Sequence, residues 1–513
     1  MLQETDFIFY PEQLYNSTFV LKSIAQQLGC RESDISSYRI VRKSIDARKG
    51  VKFNVRLQVA MKGDVFPDLC GNFEFHDVSK SPVVTIIGAG PAGYFAALQC
   101  IMSGLKPIVF ERGKSVDERK FDIAALNSQH ILNPESNYAF GEGGAGTYSD
   151  GKLYTRSKKR GNVTEVLQLL HYFGADEDIL VEAHPHIGTD KLHAIMRNIR
   201  AKILECGGEV HFSSKLTGIK IVANKVTAVV INGADEYPCE NLILATGHSA
   251  RDIYYMLNSN GVQLREKGFA MGVRVEHPQA LIDSIQYKCK ERGKYLPAAS
   301  YALVKQVDGR GVYSFCMCPG GKIVSALTED KTIVVNGMSN SKRNSPYANS
   351  GIVVELRPED YASYSDNKIF SGLEFQKSLE ALAYRNGGGD VVAPAQRLAD
   401  FVSGKISAGL PKVSYEPGVI SSPMHFWMPE FLSGRLREGF RQFDRQMHGF
   451  LTNEAVVVGV ESRTSSPVQV VRDVETMRSA SVENLYPCGE GAGYAGGIVS
   501  SAVDGMEVVK RIA

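Results

Sequence analysis

The alternation of apolar and polar residues is clearest near the start of the chain. Between positions 51 and 59 every second residue is apolar and those between are polar, which is typical of a half-buried strand. The segment 38–45 has the composition of its hairpin partner. Positions 14–29 predict an amphipathic helix that ends at a glycine. These elements predict a small α+β domain over residues 1–80.

A different order of elements follows this domain. A short apolar run at 83–87 precedes a glycine-rich turn, a helical pattern at 94–104 and a second apolar run at 107–110, which ends at Glu111. The order of strand, glycine-rich turn, helix, strand and acid is typical of the first βαβ unit of a dinucleotide-binding fold.

The residue types in this turn suit the binding of a pyrophosphate. Gly88 permits a tight turn, Gly90 lets the backbone approach a phosphate, and Gly93 lets the helix pack closely on the strand. Pro91 lacks an N–H group, which is no loss at a helix start, and the remaining free N–H groups attract phosphate charge. Glu111, about 20 residues further on, is expected to accept hydrogen bonds from the adenosine ribose.

Two later segments, 141–146 and 491–496, have the same glycine spacing in a different context. The first leads into a polar, turn-rich segment. The second follows a short strand at 484–488 and opens a helix at 498–512, but no second strand and no ribose-binding acid follow it. We therefore predict one complete dinucleotide-binding fold.

The middle of the chain has a different character from the segments on either side. Strand-like alternation occurs at 269–275, 312–318 and 333–337, separated by loops rich in Gly, Asn, Ser and Pro. The overall prediction is an α/β protein with an N-terminal α+β domain at 1–80, a Rossmann-like dinucleotide-binding domain split into 81–268 and 453–513, and an inserted mixed α+β substrate domain at 269–452.

Composition limits the class of protein. The chain has 513 residues, of which 43% are hydrophobic and 22% charged, which is ordinary for a globular protein of several domains. A net charge of +2 argues against a chain-wide surface for nucleic acid.

The first residues carry acids where a signal peptide needs bases, and no apolar run reaches the ~18 residues of a membrane helix. The cysteines are dispersed without disulfide spacing, so we expect a reduced, cytoplasmic protein without a membrane partner, of open oligomeric state.

The predicted hairpin at 38–59 is basic and contains a single acid, Asp46. One interpretation is a docking surface for an acidic protein or RNA, and the other is a solvated hairpin face. The absence of aromatic residues interleaved for stacking favours the solvated face. The basic residues are Arg39, Arg42, Lys43, Arg48, Lys49, Lys52 and Arg56.

Two further segments favour FAD over NAD. Ala245-Thr246-Gly247 resembles the strand-end segment of two-domain flavoproteins, and 485–493 resembles their second flavin motif, in which an acid, here Glu490 in place of the usual Asp, contacts the ribityl chain. The chain as a whole resembles the uncharacterised FAD-dependent dehydrogenases of bacteria, within the glutathione reductase-like flavoprotein superfamily. The other segments that carry this resemblance are 42–49, 140–147, 184–190, 315–321, 344–346, 393–398 and 459–467.

The resemblance implies bound FAD and redox chemistry. NAD(P)H stays open as a transient electron donor, because a nicotinamide can visit a flavin without a second nucleotide-binding fold. The helix that starts near Ile498 would favour negative charge on the reduced flavin. The predicted cofactor-binding residues are Gly88, Gly90, Pro91, Ala92, Gly93, Glu111, Arg112, Gly141, Gly143, Gly144, Gly146, Thr246, Gly247, Gly489, Glu490, Gly496, Gly497 and Ile498.

Four residues are weak candidates for the chemistry itself. Cys316 and Cys318 would share one face of an extended strand, with Cα atoms ~6.6 Å apart, near the upper limit for a disulfide; a thiol relay to the flavin and a pair of core cysteines are the alternatives. His248 is either a proton donor or a helix cap. Arg343 lies in a polar loop that is either a substrate ligand or a surface turn. Neither a metal-ligand spacing nor a hydrolase motif occurs, so no metal is predicted.

These features predict an FAD-dependent oxidoreductase or dehydrogenase that acts on an unidentified small organic substrate by hydride transfer through flavin N5. The alternatives are a flavin monooxygenase, a saturating reductase of the geranylgeranyl reductase type, and an FAD-containing RNA- or protein-binding or redox-sensing protein. The substrate is expected between the flavin and the inserted domain, against residues 316–321 or 343–350.

Overall fold

The computed structural model describes residues 2–155 and 161–513. Met1 and positions 156–160, which fall within the predicted ranges 1–80 and 81–268, lie outside the described residues. The N-terminal region forms a three-stranded antiparallel sheet with one long helix packed on it. Its elements are β1 (Gln3–Phe9), α1 (Pro11–Leu14), α2 (Ser17–Leu28), β2 (Ile35–Asp46) and β3 (Lys52–Met61).

The predicted hairpin is present as the pair β2 and β3. Alternate residues of β3 are buried against α2, because successive strand side chains point to opposite faces. Several of the basic side chains on the hairpin have acidic partners. Lys43 lies 2.7 Å from Glu182 and Arg56 lies 2.8 Å from Asp6, so part of the positive charge is neutralised within the protein.

A parallel sheet flanked by helices follows. Its first strands and helices alternate, as expected for βαβ units. The elements of this region are β4 (Val83–Ile87), α3 (Pro91–Met102), β5 (Lys106–Phe110), α4 (Val116–Gln129), α5 (Val163–Tyr172), α6 (Asp178–Val181), α7 (Thr189–Glu205), β6 (Glu209–His211), β7 (Leu216–Val222), β8 (Lys225–Ile231), β9 (Asp235–Pro238), β10 (Leu242–Leu244) and α8 (Arg251–Ser259).

The remaining chain first builds a second large sheet and then returns to the first. Its strands are β11 (Leu264–Glu266), β12 (Phe269–Pro278), β13 (Val304–Val307), β14 (Arg310–Cys318), β15 (Gly321–Ser325), β16 (Val335–Ser339), β17 (Tyr347–Leu356), β18 (Ala393–Arg397), β19 (Val419–Ser421), β20 (Val456–Glu461), β21 (Val468–Val470) and β22 (Leu485–Pro487). Its helices are α9 (Gln279–Tyr287), α10 (Pro358–Tyr361), α11 (Ser371–Asn386), α12 (Leu398–Ser403), α13 (Met424–Trp427), α14 (Glu430–Gln446) and α15 (Ile498–Val509).

The first sheet has five parallel strands in the order β22-β10-β4-β5-β6. Its strands are short and apolar because both faces are covered. Helices α3, α7 and α15 pack on one face, and the antiparallel strands β7 and β8 pack with α8 on the other. The strand β22, from near the C-terminal end, pairs with β10, and α15 packs against α3. A Cβ on Gly505 of α15 would lie 2.1 Å from the carbonyl oxygen of Ala92, so the close approach of these two helices requires a glycine.

The second sheet has seven strands in the order β13-β14-β17-β12-β20-β18-β19, all antiparallel except for the last pair. Helices α11 and α14 contribute to its apolar core. In sequence, this second sheet (residues 269–461) thus lies between two parts of the chain that both contribute strands to the parallel sheet. In the part of the chain that the structure describes, no helix is both long and apolar enough to cross a lipid bilayer.

The segment 73–78 packs on the parallel-sheet region, although the predicted boundary at residue 80 assigns it to the N-terminal domain. Phe73 and Phe75 lie against the apolar core beneath the parallel sheet, and Val78 is fully buried in it. The N–H of Val78 donates to the carbonyl oxygen of Cys206 at 2.8 Å. The segment forms neither a strand nor a helix, so its packing comes from contacts that are distant in sequence. The boundaries at 80, 268 and 452 stay predictions.

Candidate functional site

A cavity of about 350 Å³ lies at the carboxyl ends of β4, β5 and β10. In open α/β sheets this is the edge at which ligands bind. Gly90 and Glu111 line one end of the cavity. Cys316 of the second sheet and Asn336 of the separate two-stranded sheet β15-β16 line the other. The cavity is therefore shared between the parallel sheet and the region inserted in it.

Most of the predicted cofactor-binding residues meet on the wall of this cavity. Three do not: Gly93, Gly143 and Gly489 lie behind it. A Cβ on Gly93 would lie 1.8 Å from the carbonyl oxygen of Gly88, which is the close packing of helix on strand expected from the motif. The predicted residues on the wall are Gly88, Gly90, Pro91, Ala92, Glu111, Arg112, Gly141, Gly144, Gly146, Thr246, Gly247, Glu490, Gly496, Gly497 and Ile498.

Gly90 and Gly496 have free space where a side chain would be. Gly90 has an ordinary φ of −78°, and the protein atom nearest to an added Cβ is the Cα of Gly144 at 3.9 Å. No atom of residues 2–155 or 161–513 comes within 4 Å of a Cβ at Gly496. Because neither backbone strain nor protein packing requires these glycines, the space they leave fits a bound group.

The carboxylate of Glu111 joins the walls of the cavity. Its Oε2 accepts from the N–H of Ala89 at 2.8 Å, and its Oε1 accepts from Gly113 at 2.9 Å and Gly141 at 3.0 Å. A carboxylate has about four acceptor positions, so one on Oε2 is left for a ligand hydroxyl. Glu111 thus orders two loops in addition to its expected role toward a ribose.

One arginine holds the segment that the sequence analysis singled out at 141–146, and a second packs on the residue before it. Arg119 is fully buried and donates to the carbonyl oxygens of Asn137, Glu142 and Gly144 at 2.7–2.9 Å. Arg112 lies on the cavity wall, with its guanidinium 4.2 Å from the ring centre of Phe140. Sequence reasoning missed Arg119 because its neighbours in α4 are charged residues typical of a solvated face.

His248 and Glu490 face each other on the cavity wall. His248 Nε2 lies 3.1 Å from the carbonyl oxygen of Arg463, so this nitrogen is the N–H donor. His248 Nδ1 lies 3.4 Å from Glu490 Oε2 and makes no hydrogen bond within the described residues. The candidate histidine and the candidate ribityl-binding acid are therefore neighbours.

The predicted geometry at Cys316 and Cys318 is wrong. Cys316 has a left-handed backbone with φ of 45°, and the pairing of β14 with β17 shifts between Phe315 and Cys318. The rule that alternate residues share a face fails at this irregularity. Cys316 lines the cavity, whereas Cys318 is fully buried behind it and donates its S–H to the Cys316 carbonyl oxygen at 3.3 Å.

Charged side chains surround this pair of cysteines. The ammonium of Lys152, on the cavity wall, donates to the carbonyl oxygen of Met317 and lies 3.3 Å from Asp150. The fully buried Arg274 pairs with Glu461 at 2.7 Å and donates to the carbonyl oxygen of Cys316 at 3.3 Å. Sequence reasoning missed both cations. Arg274 carried a signal, since a charge in the middle of the apolar run 269–275 must have a partner when buried.

Arg343 does not line this cavity, and its role as a substrate ligand stays a prediction. Its Nε donates to Asp150 at 3.0 Å, and Arg343 lines a second cavity of about 1320 Å³ between the N-terminal hairpin and the inserted region. Burial alone would raise the pKa of Asp150, but the cations of Lys152 and Arg343 outweigh this effect and hold it below its usual value. Arg343 therefore separates the two cavities.

Comparison with known proteins identifies the family. A protein of Clostridium beijerinckii, described as uncharacterized, is 42% identical over 513 residues, which cover 96% of this chain and 95% of that protein. Residues 268–464 match a family described as "FAD-dependent protein, C-terminal domain-like", and residues 1–60 match a domain of unknown function. The chain belongs to this FAD-dependent family. The expectation of FAD is thereby supported.

Several solved structures have a distant similarity to this FAD-dependent protein. The halogenase PltM is 12% identical, with 84% of this chain and 68% of that chain covered and a TM-score of 0.38. A geranylgeranyl bacteriochlorophyll reductase-like protein of Thermoplasma acidophilum is 12% identical, with 84% and 78% covered and a TM-score of 0.34. CtdE in complex with FAD and a substrate is 12% identical, with 84% and 80% covered and a TM-score of 0.32.

The electrostatics of the cavity fit the anionic FAD of this family. The N-termini of two twelve-residue helices, α3 and α15, reach the wall, where Pro91, Ala92, Ile498 and Val499 line it. The first N–H groups of a helix have no partner within it, and the helix dipole places partial positive charge there. One helix start is thus available for the pyrophosphate and the other for a second electron-rich edge of the ligand.

Proposed function

We propose that the protein is an FAD-dependent oxidoreductase of the glutathione reductase-like flavoprotein superfamily, which transfers hydride between flavin N5 and a small organic substrate. The observation that carries this proposal is the shared cavity. Its wall includes Gly90 of the glycine turn at one end and Cys316 of the inserted region at the other. A cofactor held at the first end leaves the second for a substrate.

The residues on the wall define how the cofactor would lie. Gly90 and the start of α3 would hold the pyrophosphate, and Glu111 would accept from the adenosine ribose. Glu490 would contact the ribityl chain, and the open space at Gly496 would admit the edge of the flavin ring. Bound FAD would supply the two-electron chemistry, while the chain positions and shields it.

The substrate end of the cavity has its own polar groups. Lys152, Asn336 and Thr464 line it, and Lys152 is a cation there. An ammonium in a shielded cavity would orient a carbonyl oxygen or carboxylate of the substrate and hold a proton beside it. We therefore assign Lys152 as the residue that binds the polar group of the substrate.

Anaerobic spectroscopy of the purified holoprotein tests the reaction class. The flavin is to be reduced with NADH, NADPH or dithionite and then reoxidised against a panel of small carbonyl, hydroxyl and unsaturated compounds. Substrate-dependent reoxidation without oxygen supports the proposal, and reduction by NADPH or NADH would assign the electron donor. A transient oxygenated flavin on adding oxygen would point instead to a monooxygenase, and reoxidation by alkenes alone to a saturating reductase.

Two lysine variants refine the assignment. Lys152→Met is expected to keep FAD and slow substrate-dependent reoxidation about tenfold or more, because a charged hydrogen bond contributes about 1.5–3 kcal/mol. Lys322→Met is the control, since Lys322 pairs with Glu416 on the surface. If no compound and no nicotinamide changes the flavin spectrum, the protein is a binding or sensing protein and the proposed function is wrong.

A further inference from the structure

The two cysteines at the substrate end are placed together by an unusual piece of backbone. Cys316 is in a left-handed conformation that residues other than glycine rarely adopt, within a strand whose partner β17 is regular. Strained conformations persist only where the surrounding structure holds them, and they concentrate at functional sites. Here the strain turns the Cys316 side chain toward the cavity while Cys318 remains buried directly behind it.

The two cysteines are also joined by a hydrogen bond. The Cys318 thiol donates to the Cys316 carbonyl oxygen at 3.3 Å, and both cysteines are free. A disulfide between them therefore needs no approach of distant segments. The contact with Cys318 lowers the pKa of Cys316 against the effect of burial, whereas the pKa of Cys318 is raised well above its usual value.

The surrounding charges favour this division into one thiolate and one thiol. Three cations, Lys152, Arg274 and Arg343, and two anions, Asp150 and Glu461, form the connected ion pairs around the cysteines. Arg274 Nη1 lies 4.0 Å from Cys318 Sγ. The excess of positive charge stabilises one thiolate in the pair, and a nucleophilic thiolate beside a protonated thiol is the arrangement found in exchangeable dithiols.

From this geometry we propose that Cys316 and Cys318 are a redox-active dithiol–disulfide couple that exchanges two electrons with the bound flavin. The couple rests on the proposed function, because FAD is its oxidant. In the forward direction the S–H bond of Cys318 breaks and an S–S bond forms between Cys318 and the Cys316 thiolate. The two electrons and the proton from Cys318 pass to oxidised FAD, which becomes the anionic reduced flavin. The reverse exchange reduces the disulfide and regenerates oxidised FAD.

The couple adds thiol and disulfide compounds to the substrates that this cavity would accept. The exposed sulfur belongs to Cys316, on the cavity wall, so a thiol or disulfide compound entering the cavity would meet it first. A thiolate of such a compound would break the Cys316–Cys318 bond and form a mixed disulfide at Cys316, with Cys318 released as a thiol. A second molecule of the thiol would attack the mixed disulfide, leave as the disulfide of the compound and restore the Cys316 thiolate, so that the dithiol can reduce FAD. The protein would thereby couple flavin reduction to a thiol–disulfide substrate.

Thiol mapping tests the couple without relying on turnover. The holoprotein is to be equilibrated with reduced and oxidised glutathione at a series of ratios, alkylated, digested and analysed by mass spectrometry. We expect a disulfide within the 316–318 peptide that appears at a defined ratio, while Cys206, a buried cysteine at the end of α7, stays free. Free thiols at both positions under the most oxidising ratio would overturn the proposal.

An anaerobic dithionite titration of the oxidised holoprotein provides the second measurement. The wild type is expected to take up twice the electron equivalents per FAD that Cys318→Ser and Cys316→Ser take up, with Cys206→Ser behaving as the wild type. Equal uptake by wild type and both serine variants, with normal FAD content, would exclude the couple and leave the oxidoreductase proposal standing. A 316–318 disulfide in a protein whose flavin no substrate reoxidises would support the couple and contradict the proposed substrate reaction. Far-ultraviolet circular dichroism checks that each variant is folded.

Discussion

The N–H of Ala89 donates a hydrogen bond of 2.8 Å to the carboxylate of Glu111, which joins the glycine turn after β4 to the end of β5. Two more backbone N–H groups, those of Gly113 and Gly141, donate to the other oxygen of the same carboxylate. Glu111 is therefore a common anchor that joins its own loop to the two loops that carry Ala89 and Gly141.

Replacing this anchor should weaken FAD binding through the loops as well as through the ribose. Glu111→Gln keeps the size of the side chain but turns an N–H donor toward one of the backbone donors. Loss of charged hydrogen bonds costs about 1.5–3 kcal/mol, so we expect the Kd for FAD to rise about tenfold or more. Fluorescence titration of apoprotein with FAD measures the change. The exposed substitution Glu454→Gln is the control, and an unchanged Kd in Glu111→Gln would contradict the assignment.

The free space at Gly90 leads to a second prediction. Gly90→Val should fold normally, because the nearest protein atom to the new Cβ is 3.9 Å away, and yet it should bind no FAD, because the branched side chain occupies the phosphate position. Absorbance at the flavin bands and a melting curve separate the two effects. Gly409→Val, at an exposed glycine with no described atom near its Cβ position, serves as the matched control. A yellow Gly90→Val protein with full FAD content would show that the phosphates lie elsewhere.

The parts of the site that could be predicted from the sequence are those fixed by local pattern. The turn from Gly88 to Gly93 and the acid Glu111 lie within one βαβ unit, so spacing and residue type suffice to find them. Arg119 and Lys152 donate hydrogen bonds to backbone carbonyl oxygens that lie in loops or far away in the sequence. The spacing of apolar and polar residues does not indicate such contacts. The position of Cys316 depends on a slip in register between β14 and β17, which only the pairing of the two strands reveals.

For the fold, too, the features fixed by local pattern were predicted and those fixed by distant contacts were not. The hairpin of β2 and β3 and the helix α2 were evident from alternation and from the glycine that ends the helix, Gly29, whose φ is 64°. The packing of Phe73 and Phe75 was not, because the segment forms neither a strand nor a helix and its partners are determined by tertiary contacts.

Two truncations test where the N-terminal domain ends. A protein of residues 68–513 keeps Phe73, Phe75 and Val78, whereas one of residues 81–513 lacks them. Because each large apolar side chain contributes about 1.5–3 kcal/mol when buried, the longer form should melt at a clearly higher temperature. Both forms remove β1 to β3, so their difference isolates the segment 68–80. We expect FAD in both, since neither lacks the glycine turn. Equal melting temperatures would place the division at residue 80 after all.

A buried carboxyl group in the second sheet should make stability depend on pH. Glu276 of β12 is only 2% exposed and accepts from the N–H and the hydroxyl of Ser414. Burial raises the pKa of Glu276 to about 7, and the hydrogen bonds from Ser414 and the charge of Arg274 offset only part of this rise. In the unfolded chain the group titrates near an ordinary glutamate pKa of about 4.3.

The sign of the effect follows from proton binding. Between about pH 4.5 and 7 the folded protein holds the proton that the unfolded chain has released, so stability falls as pH rises through this window and stays low above it. The loss is on the order of 3 kcal/mol, from a change of 1.36 kcal/mol for each pKa unit. Glu276→Gln carries no charge to desolvate and can still accept from the Ser414 N–H. Its urea midpoint should match the wild type near pH 5 and exceed it at pH 8. Glu454→Gln, at an exposed position, should follow the wild type at both values, and parallel pH curves for all three proteins would rule out Glu276 as the source of the effect.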